Sequence, residues 1–168
     1  MQSAPGDALA AHIKKWMMTI VRDPQDLDEH AWRRLWSGYN AFYGAQISEA
    51  ITASTWKRML DPTSAIFGRV AVVQNVVVGF TVSVVHEGTW TIAPICYLED
   101  LFVDQNYRGH GLGRLLMEDL VDVAKTRGWS RLYWHTQTKN PARALYDKFA
   151  AADDFVRYRL IFNEPTSR

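Results

Sequence analysis

The segment that most constrains the fold of this chain is an apolar strand that runs through a glycine-rich turn into a helix. Residues 95–103 read ICYLEDLFV, and the letters DQNYRGHGLGRLL follow directly. The apolar run predicts a strand, and leucines at helical spacing predict a helix over residues 111–127. Glu99 and Asp100 lie inside the strand, although burying unpaired charge is costly. The segment therefore predicts a strand that binds something in addition to its packing partners.

The rest of the chain predicts one mixed sheet with helices packed on it. Gln74-Asn75 separates two runs rich in β-branched residues and is a two-residue hairpin signal, weaker than Asn-Gly, so the turn type stays open. The predicted order is βααβββαβαβ. Its elements are a strand at 16–21, a helix from 24 to between 38 and 44, a helix at 48–60, strands at 65–73, 76–85 and 95–103, a helix at 111–127, a strand at 131–136, a helix at 140–150 and a strand at 155–162.

Length and composition limit the classes of protein to which this chain can belong. A chain of 168 residues most naturally forms one domain with a substantial core. An apolar fraction of 48% and seven each of Trp, Tyr and Phe exclude a disordered chain. We expect a flexible leader at residues 1–13, a single domain at 14–163 and a tail at 164–168.

Charge and cysteine content favour some partners and compartments over others. A formal net charge of +1 gives no support for a nucleic-acid partner. No stretch approaches the roughly 20 apolar residues of a membrane helix, so we expect no membrane partner. Cys96 is the only cysteine, which precludes an intrachain disulfide and is typical of the reducing cytoplasm. No residues show metal-ligand spacing, so we expect no metal.

The glycine-rich turn predicts an anion site. Gly109, Gly111 and Gly113 alternate where the strand meets the helix, and a helix start presents unpaired N–H groups that bind phosphate. A plain turn needs only one glycine. Arg114 stands where the dinucleotide fingerprint requires its third glycine. The nucleotide P-loop needs Gly-Lys-Ser/Thr, which is absent, so neither of these two common phosphate loops fits.

The pattern Arg108-x-x-Gly111-x-Gly113 resembles the acetyl-coenzyme A pyrophosphate loop of the GNAT N-acetyltransferase superfamily. The flanking segments YLEDLFV and NPARALYDKF resemble that superfamily's neighbouring motifs, and the resemblance spans residues 64–162. By its Glu-Asp strand and Leu-Tyr-Asp helix, the chain resembles in particular the histone/polyamine and spermidine/spermine acetyltransferase branches. The resemblance implies an α/β (α+β) fold, with a mixed, mostly antiparallel sheet splayed at a bulged strand and flanked by about four helices.

The resemblance also implies which residues bind acetyl-CoA. The acyl-pantetheine arm lies in the splayed opening and bonds mainly to strand main chain, and the pyrophosphate lies on the loop. Asn140 resembles a cofactor-contacting asparagine, although its position before Pro141 also suits a helix cap. The implied cofactor-binding residues are Leu101, Phe102, Val103, Arg108, Gly109, His110, Gly111, Leu112, Gly113, Arg114, Asn140 and Tyr146.

Acetyl transfer to an amine requires a base, because an amine with a pKa near ~10 is mostly protonated at neutral pH. Glu99 occupies the place of the proposed base in the polyamine branch; alternatively it anchors a cationic substrate, and the two roles are compatible. Asp100 is expected to be structural, bonding local backbone or Arg108. Tyr146 matches the tyrosine that protonates the departing sulfur, although Leu145, Tyr146 and Phe149 also form an ordinary apolar helix face.

The acceptor is expected to be the primary amine of a small molecule such as a polyamine or an amino acid. Acetylation of a protein lysine and a non-catalytic acyl-CoA sensor remain alternatives. Aromatic residues of the first helix pack in a core by default. The resemblance implies instead that Trp36, Tyr39 and Tyr43 line the acceptor site, where rings hold an amine by cation–π contact.

The last predicted strand bears on oligomeric state. In similar proteins this strand commonly joins a dimer contact, so we expect a homodimer. The family often has a glycine just before this strand. Residues 149–155 read FAAADDF and lack that glycine, which leaves the strand's register open.

Overall fold

The computed structural model describes residues 19–162, which form two compact units, one ending at His135 and the other beginning at Thr136. The first unit contains a five-stranded sheet in which the strands lie in chain order. The first four strands are antiparallel, and the last two are parallel to each other. The strands are β1 (Thr19–Arg22), β2 (Ile66–Val73), β3 (Val76–Gly88), β4 (Thr91–Val103) and β5 (Arg131–Trp134). Residues 16–18 of the predicted first strand lie outside the described residues.

Three helices pack on this sheet, and their ends follow local sequence signals. They are α1 (Glu29–Tyr43), α2 (Glu49–Leu60) and α3 (Leu112–Thr126). The Ser48 hydroxyl accepts a hydrogen bond from the Ile51 N–H at 3.3 Å, which confirms Ser48 as the cap of α2. Gly128 follows α3 with a φ of 67°, the left-handed conformation predicted for it.

The two faces of the sheet build two separate apolar clusters. Neighbouring strand residues point to opposite faces, and a β-bulge at Val78, between the pairs Ala71–Gly79 and Val72–Val77, places Val78 on the face opposite to Phe80. Helices α1 and α2 cover one face, with Trp32 and Leu35 of α1 against Phe80 of β3. Helix α3 covers the other face, where Leu112 and Leu116 pack on Val78. Each fully buried side chain of this size contributes about 1.5–3 kcal/mol. The sheet is therefore held between helices on both faces, with the end of β4 between α1 and α3.

The second unit contains a short helix, α4 (Arg143–Tyr146), where a helix over residues 140–150 was expected. The Asn140 side chain accepts a hydrogen bond from the Ala142 N–H at 2.9 Å, as a cap would. Turn hydrogen bonds continue to Ala150, whose N–H donates to the Tyr146 carbonyl at 3.2 Å.

The predicted strand at residues 155–162 is wrong, because this segment adopts no strand and the sheet ends at β5. Alternating apolar residues predict a strand only where another strand supplies N–H and C=O partners. The absence of the glycine before this segment also removes a favourable turn residue.

No helix within residues 19–162 is long and apolar enough to cross a membrane.

The β2–β3 hairpin turns on two residues that both have positive φ, Gln74 at 50° and Asn75 at 63°. This is the conformation of a type I′ turn, which Asn-Gly adopts more easily than Gln-Asn. We predict that Gln74→Asn combined with Asn75→Gly raises the free energy of unfolding by about 0.5–1 kcal/mol, measured by urea unfolding. The matched control is Asn75→Val, which we expect to destabilise, because a β-branched residue opposes positive φ. A stability unchanged by both substitutions would contradict this assignment of the turn.

Candidate active site

The pairing of β3 with β4 contains a β-bulge at Glu99. Val82 lies opposite Asp100, and Ser83 lies opposite Leu98, so Glu99 is an extra residue with no partner in the register. This confirms the bulged strand implied by the resemblance. A bulge interrupts the alternation of side chains between faces, so Glu99 and Asp100 are both available at one point of the strand.

The parallel pairing of β4 with β5 ends immediately before this bulge. It runs from Ile95 beside Arg131 to Leu98 beside Trp134 and goes no further. Beyond Leu98, β4 continues to Val103, where β3 is its only partner among residues 19–162. The sheet therefore opens on the β5 side of β4, next to Leu101, Phe102 and Val103.

Asp100 is a buried carboxylate on the α1 face of this opening. It is 8% exposed and accepts a hydrogen bond from the Tyr39 phenol of α1. Burial, together with the negative charge of Glu99, raises the pKa of Asp100 to about 7, although the bond from Tyr39 opposes the shift. Burial and the adjacent Asp100 also raise the pKa of Tyr39, so its phenol stays protonated. The interpretation of Asp100 as bonded to local backbone or Arg108 is thus corrected, because its side chain faces α1.

Glu99 is exposed at the same opening. The two carboxylates are close enough for the charge of Glu99 to raise the pKa of its neighbour. Glu99 is therefore the solvent-accessible member of the pair and Asp100 the desolvated one. Cys96, two residues before Leu98, is buried, and burial raises the pKa of its thiol to about 11, which argues against an acyl-cysteine role.

The glycine-rich loop forms an open helix start. Gly109 and Gly111 have φ values of 79° and 81°, which strongly favour glycine, and no heavy atom lies within 4 Å of where either Cβ would be. Gly111 is the residue before α3, and its carbonyl accepts the Leu115 N–H at 2.9 Å. Gly113 lies within the first turn of α3. The turn is thus open beside the positive end of α3, as an anion site requires.

Hydrogen bonds fix the start of this loop to the end of β4. Arg108 donates from Nε to the Val103 carbonyl at 3.0 Å, and its guanidinium carbon lies 5.2 Å from the Phe102 ring centre. Arg34 of α1 pairs with the buried Asp104 at 2.5 Å. His110 is exposed in the loop. Arg114 donates to Glu118 at 2.8 Å, one turn along α3.

The candidate acceptor residues on α1 occupy different environments. Trp36 is 8% exposed, stacks on Trp32 at 5.4 Å and donates to the Thr52 hydroxyl. We therefore assign Trp36 to the core, because its ring and its donor are both satisfied there. Tyr39 is half-buried beside Asp100, and Tyr43 contacts it edge-on at 5.0 Å.

Residues 26–151 match the acetyltransferase (GNAT) family. The chain belongs to that family. It is an N-acetyltransferase, and enzymes of the family take the acetyl group from acetyl-CoA. The D-amino-acid N-acetyltransferase HPA3 of Saccharomyces cerevisiae is 31% identical over 143 residues, which cover 83% of this chain and 89% of that protein. The thialysine N-epsilon-acetyltransferase of Mus musculus is 33% identical over 87 residues, covering 49% of this chain and 48% of that protein.

Solved structures confirm the fold of this acetyltransferase. The ribosomal-protein-alanine N-acetyltransferase of Brucella melitensis biovar Abortus 2308 superposes with a TM-score of 0.72 at 23% identity, covering 86% of this chain and 99% of that one. An aminoglycoside acetyltransferase from an uncultured soil metagenomic sample gives a TM-score of 0.74 at 18% identity, covering 88% and 98%. At these identities the likeness shows the fold alone.

Asn140 and Tyr146 both belong to the second unit of this acetyltransferase. Asn140 caps the turn before α4, and Tyr146 is the last residue of that helix. Their roles at the cofactor stay predictions.

Sequence reasoning missed the pairing of Tyr39 with Asp100. The two residues are far apart in the chain, and only the packing of α1 on the sheet brings them together. The sole signal in the sequence was the presence of a second carboxylate beside Glu99. That signal cannot distinguish a buried acid from an exposed one.

We predict that the free energy of unfolding of this acetyltransferase falls as pH rises, because the buried Asp100 loses its proton. A carboxyl whose pKa is near 4 when unfolded and about 7 when folded contributes stability below pH 4 that is lost as pH rises through 7. Between pH 5 and 8 this loss is on the order of 2–3 kcal/mol. Asp100→Asn, whose amide oxygen can still accept the hydrogen bond from Tyr39, should remove this pH-dependent loss. Urea unfolding at pH 5 and pH 8 measures it. Glu99→Gln is the exposed control and should retain most of the loss, because burial is the largest cause of the raised pKa of Asp100 and the charge of Glu99 a smaller one. An equal fall in Asp100→Asn would contradict the burial argument.

Proposed function

We propose that this chain transfers an acetyl group from acetyl-CoA directly to the primary amine of a small molecule. The observation that carries the proposal is the bulge at Glu99, which presents two carboxylates where β4 leaves β5. A cationic amine and an acyl group brought to this opening would meet beside a proton acceptor. The names of the two relatives support a small acceptor, because both describe N-acetylation of amino acids.

The described residues fit the donor in two places. The start of α3 offers backbone amides, with no Cβ at Gly109 and Gly111 to obstruct a pyrophosphate. The main chain of β4 from Leu101 to Val103 has no β5 partner, which leaves space for an extended pantetheine arm. The Val103 carbonyl already accepts from Arg108, so we expect the arm to bond to the residues before it. Bound there, acetyl-CoA supplies the activated thioester carbonyl.

The proton balance of acetyl transfer indicates where a base and an acid are needed. An acceptor ammonium first gives one proton to Glu99, directly or through water, and the freed nitrogen then attacks the thioester carbon. The C–N bond forms, the C–S bond breaks, and the nitrogen loses a second proton as the amide is completed. The departing sulfur gains one proton, for which Tyr146 is our candidate on its match to the family motif. One proton is released to solvent for each turnover.

Asp100 supports this step from the buried side. Its pKa of about 7 means that it is partly ionised at neutral pH, with Tyr39 holding the carboxyl in place. An ionised Asp100 attracts the ammonium to the opening, whereas a protonated one does not. We therefore assign Glu99 as the base and Asp100 as an anchor for the acceptor cation.

The test is release of free thiol from acetyl-CoA by the purified protein in the presence of a panel of small primary amines. We expect turnover with at least one amine, together with coenzyme A binding detected by calorimetry. Binding of coenzyme A without turnover on any amine, including lysine-containing peptides, would indicate a sensor and contradict the proposal. Turnover confined to lysine-containing peptides would show that the acceptor is a protein.

We predict that Glu99→Gln lowers kcat/KM by about 10²–10⁴-fold at pH 7 and by less at pH 9–10, because the free amine becomes abundant at high pH. The pH profile of thiol release measures this. Tyr146→Phe is the companion variant: we expect it to slow turnover while coenzyme A affinity is retained. A loss in Glu99→Gln that is equal at all pH values would reassign Glu99 to substrate anchoring.

A further inference from the structure

Aromatic and imidazole side chains border the opening on the same sheet face as Asp100. Asp100 lies opposite Val82 and Tyr97 opposite Val84, which places Asp100 and Tyr97 on one face. Tyr133 of β5 lies beside Tyr97, and alternation puts His135 on that face as well. We call His86, Tyr97, Tyr133 and His135 the aromatic patch.

The aromatic patch is a contiguous surface built from three neighbouring strands. The rings of Tyr97 and Tyr133 are 5.0 Å apart, and that of His135 lies 5.4 Å from Tyr97 and 5.8 Å from Tyr133. His86 of β3 reaches across with Nε2 3.0 Å from the Tyr133 hydroxyl. His86 and His135 are exposed and both tyrosines are half-buried, so a small molecule can reach the patch.

A permanent cation lies over this patch. The guanidinium carbon of Arg131 is 5.7 Å from the Tyr133 ring centre, a cation–π contact. Arg131 is exposed, and within residues 19–135 no ion pair joins it to a carboxylate. By contrast, Arg22, Arg34 and Arg69 of the same unit all pair with aspartates. The paired N–H donors of the Arg131 guanidinium are thus available to bind another partner by two hydrogen bonds.

The strand register gives the offset along the strand between the bulge and Tyr133, the residue whose ring this cation covers. Tyr133 is level with Tyr97, two residues before Glu99, which at about 3.3 Å per residue is roughly 7 Å along the strand. The bulge carries two carboxyl groups, and the patch beside it carries a guanidinium. The face is therefore polarised, negative at the opening and positive at Tyr133, whose ring the Arg131 guanidinium covers.

This polarity selects among amine acceptors. An amine placed at Glu99 puts the far end of a chain of five or six carbons over Tyr133, since such a chain spans roughly 6–8 Å. A carboxylate there meets the Arg131 fork, which binds carboxylates by two hydrogen bonds. A second ammonium would meet a like charge, on an aromatic face that a guanidinium already covers.

We propose that Arg131, held over Tyr133, binds a carboxylate at the far end of the acceptor, so that this enzyme acetylates ω-amino acids in preference to diamines and polyamines. The inference rests on the proposed function and names the acceptor class of the same site. It concerns recognition only: Arg131 contacts the acceptor away from the reacting nitrogen and changes its affinity, whereas Glu99 acts on the proton.

The test uses three acceptors that share one methylene chain and differ at the far end, namely 6-aminohexanoate, hexylamine and cadaverine. In the wild-type enzyme we expect kcat/KM to be highest for the carboxylate and lowest for the diamine, with about a fivefold to tenfold ratio between them carried by KM. Arg131→Glu should invert this order, so that cadaverine becomes the better acceptor. Arg131→Lys should keep the original order with a smaller ratio, because the charge remains and the fork is lost.

Arg127→Glu is the matched control, since Arg127 is also exposed but lies just past the C-terminal end of α3. It makes the same charge change and should leave the three-acceptor order as in the wild type. Similar kcat/KM values for all three acceptors, or an order that Arg131→Glu leaves unchanged, would overturn the inference while the acetyltransferase proposal stands. No turnover on any amine would reject the proposed function itself and this inference with it.

Discussion

The β-bulge at Glu99 is the constraint on which the rest of the site depends. Without the extra residue, β4 would continue in register, and Glu99 and Asp100 would point to opposite faces of the sheet. The pairing of β4 with β5 ends at Leu98, so the bulge lies where the sheet opens. One inserted residue therefore provides both the acidic groups and the space beside them.

The carboxylates at the bulge differ because the two sides of the opening differ in solvent access. Asp100 faces α1 and is held by Tyr39, whose ring contacts Phe102, and burial raises the pKa of Asp100 to about 7. Glu99 faces solvent. At the other end of the same face Arg131 supplies a fixed positive charge over Tyr133. A single sheet face thus presents both signs of charge, with carboxyl groups at the bulge and a guanidinium over Tyr133.

The helices and turns could be predicted because their signals are local. Ser48 caps α2, Gly128 follows α3, and the loop glycines take positive φ, each for a reason contained within a few residues. The strand expected at residues 155–162 was wrong for the opposite reason. Its alternating pattern was present, but a strand also requires a neighbouring strand, which no local pattern supplies.

The sequence by itself determined the order of the elements as far as α4 and the glycine conformations of the loop, and it predicted an anion site there and matched Glu99 to an acetyltransferase motif. Only the tertiary structure decided which face each side chain occupies. It buried Trp36 in the core, turned Asp100 toward Tyr39 and set Tyr133 beside Tyr97. The physical reason is range: dihedral preferences and caps act over a few residues, whereas burial, pKa and charge layout depend on residues that the register of the strands brings together.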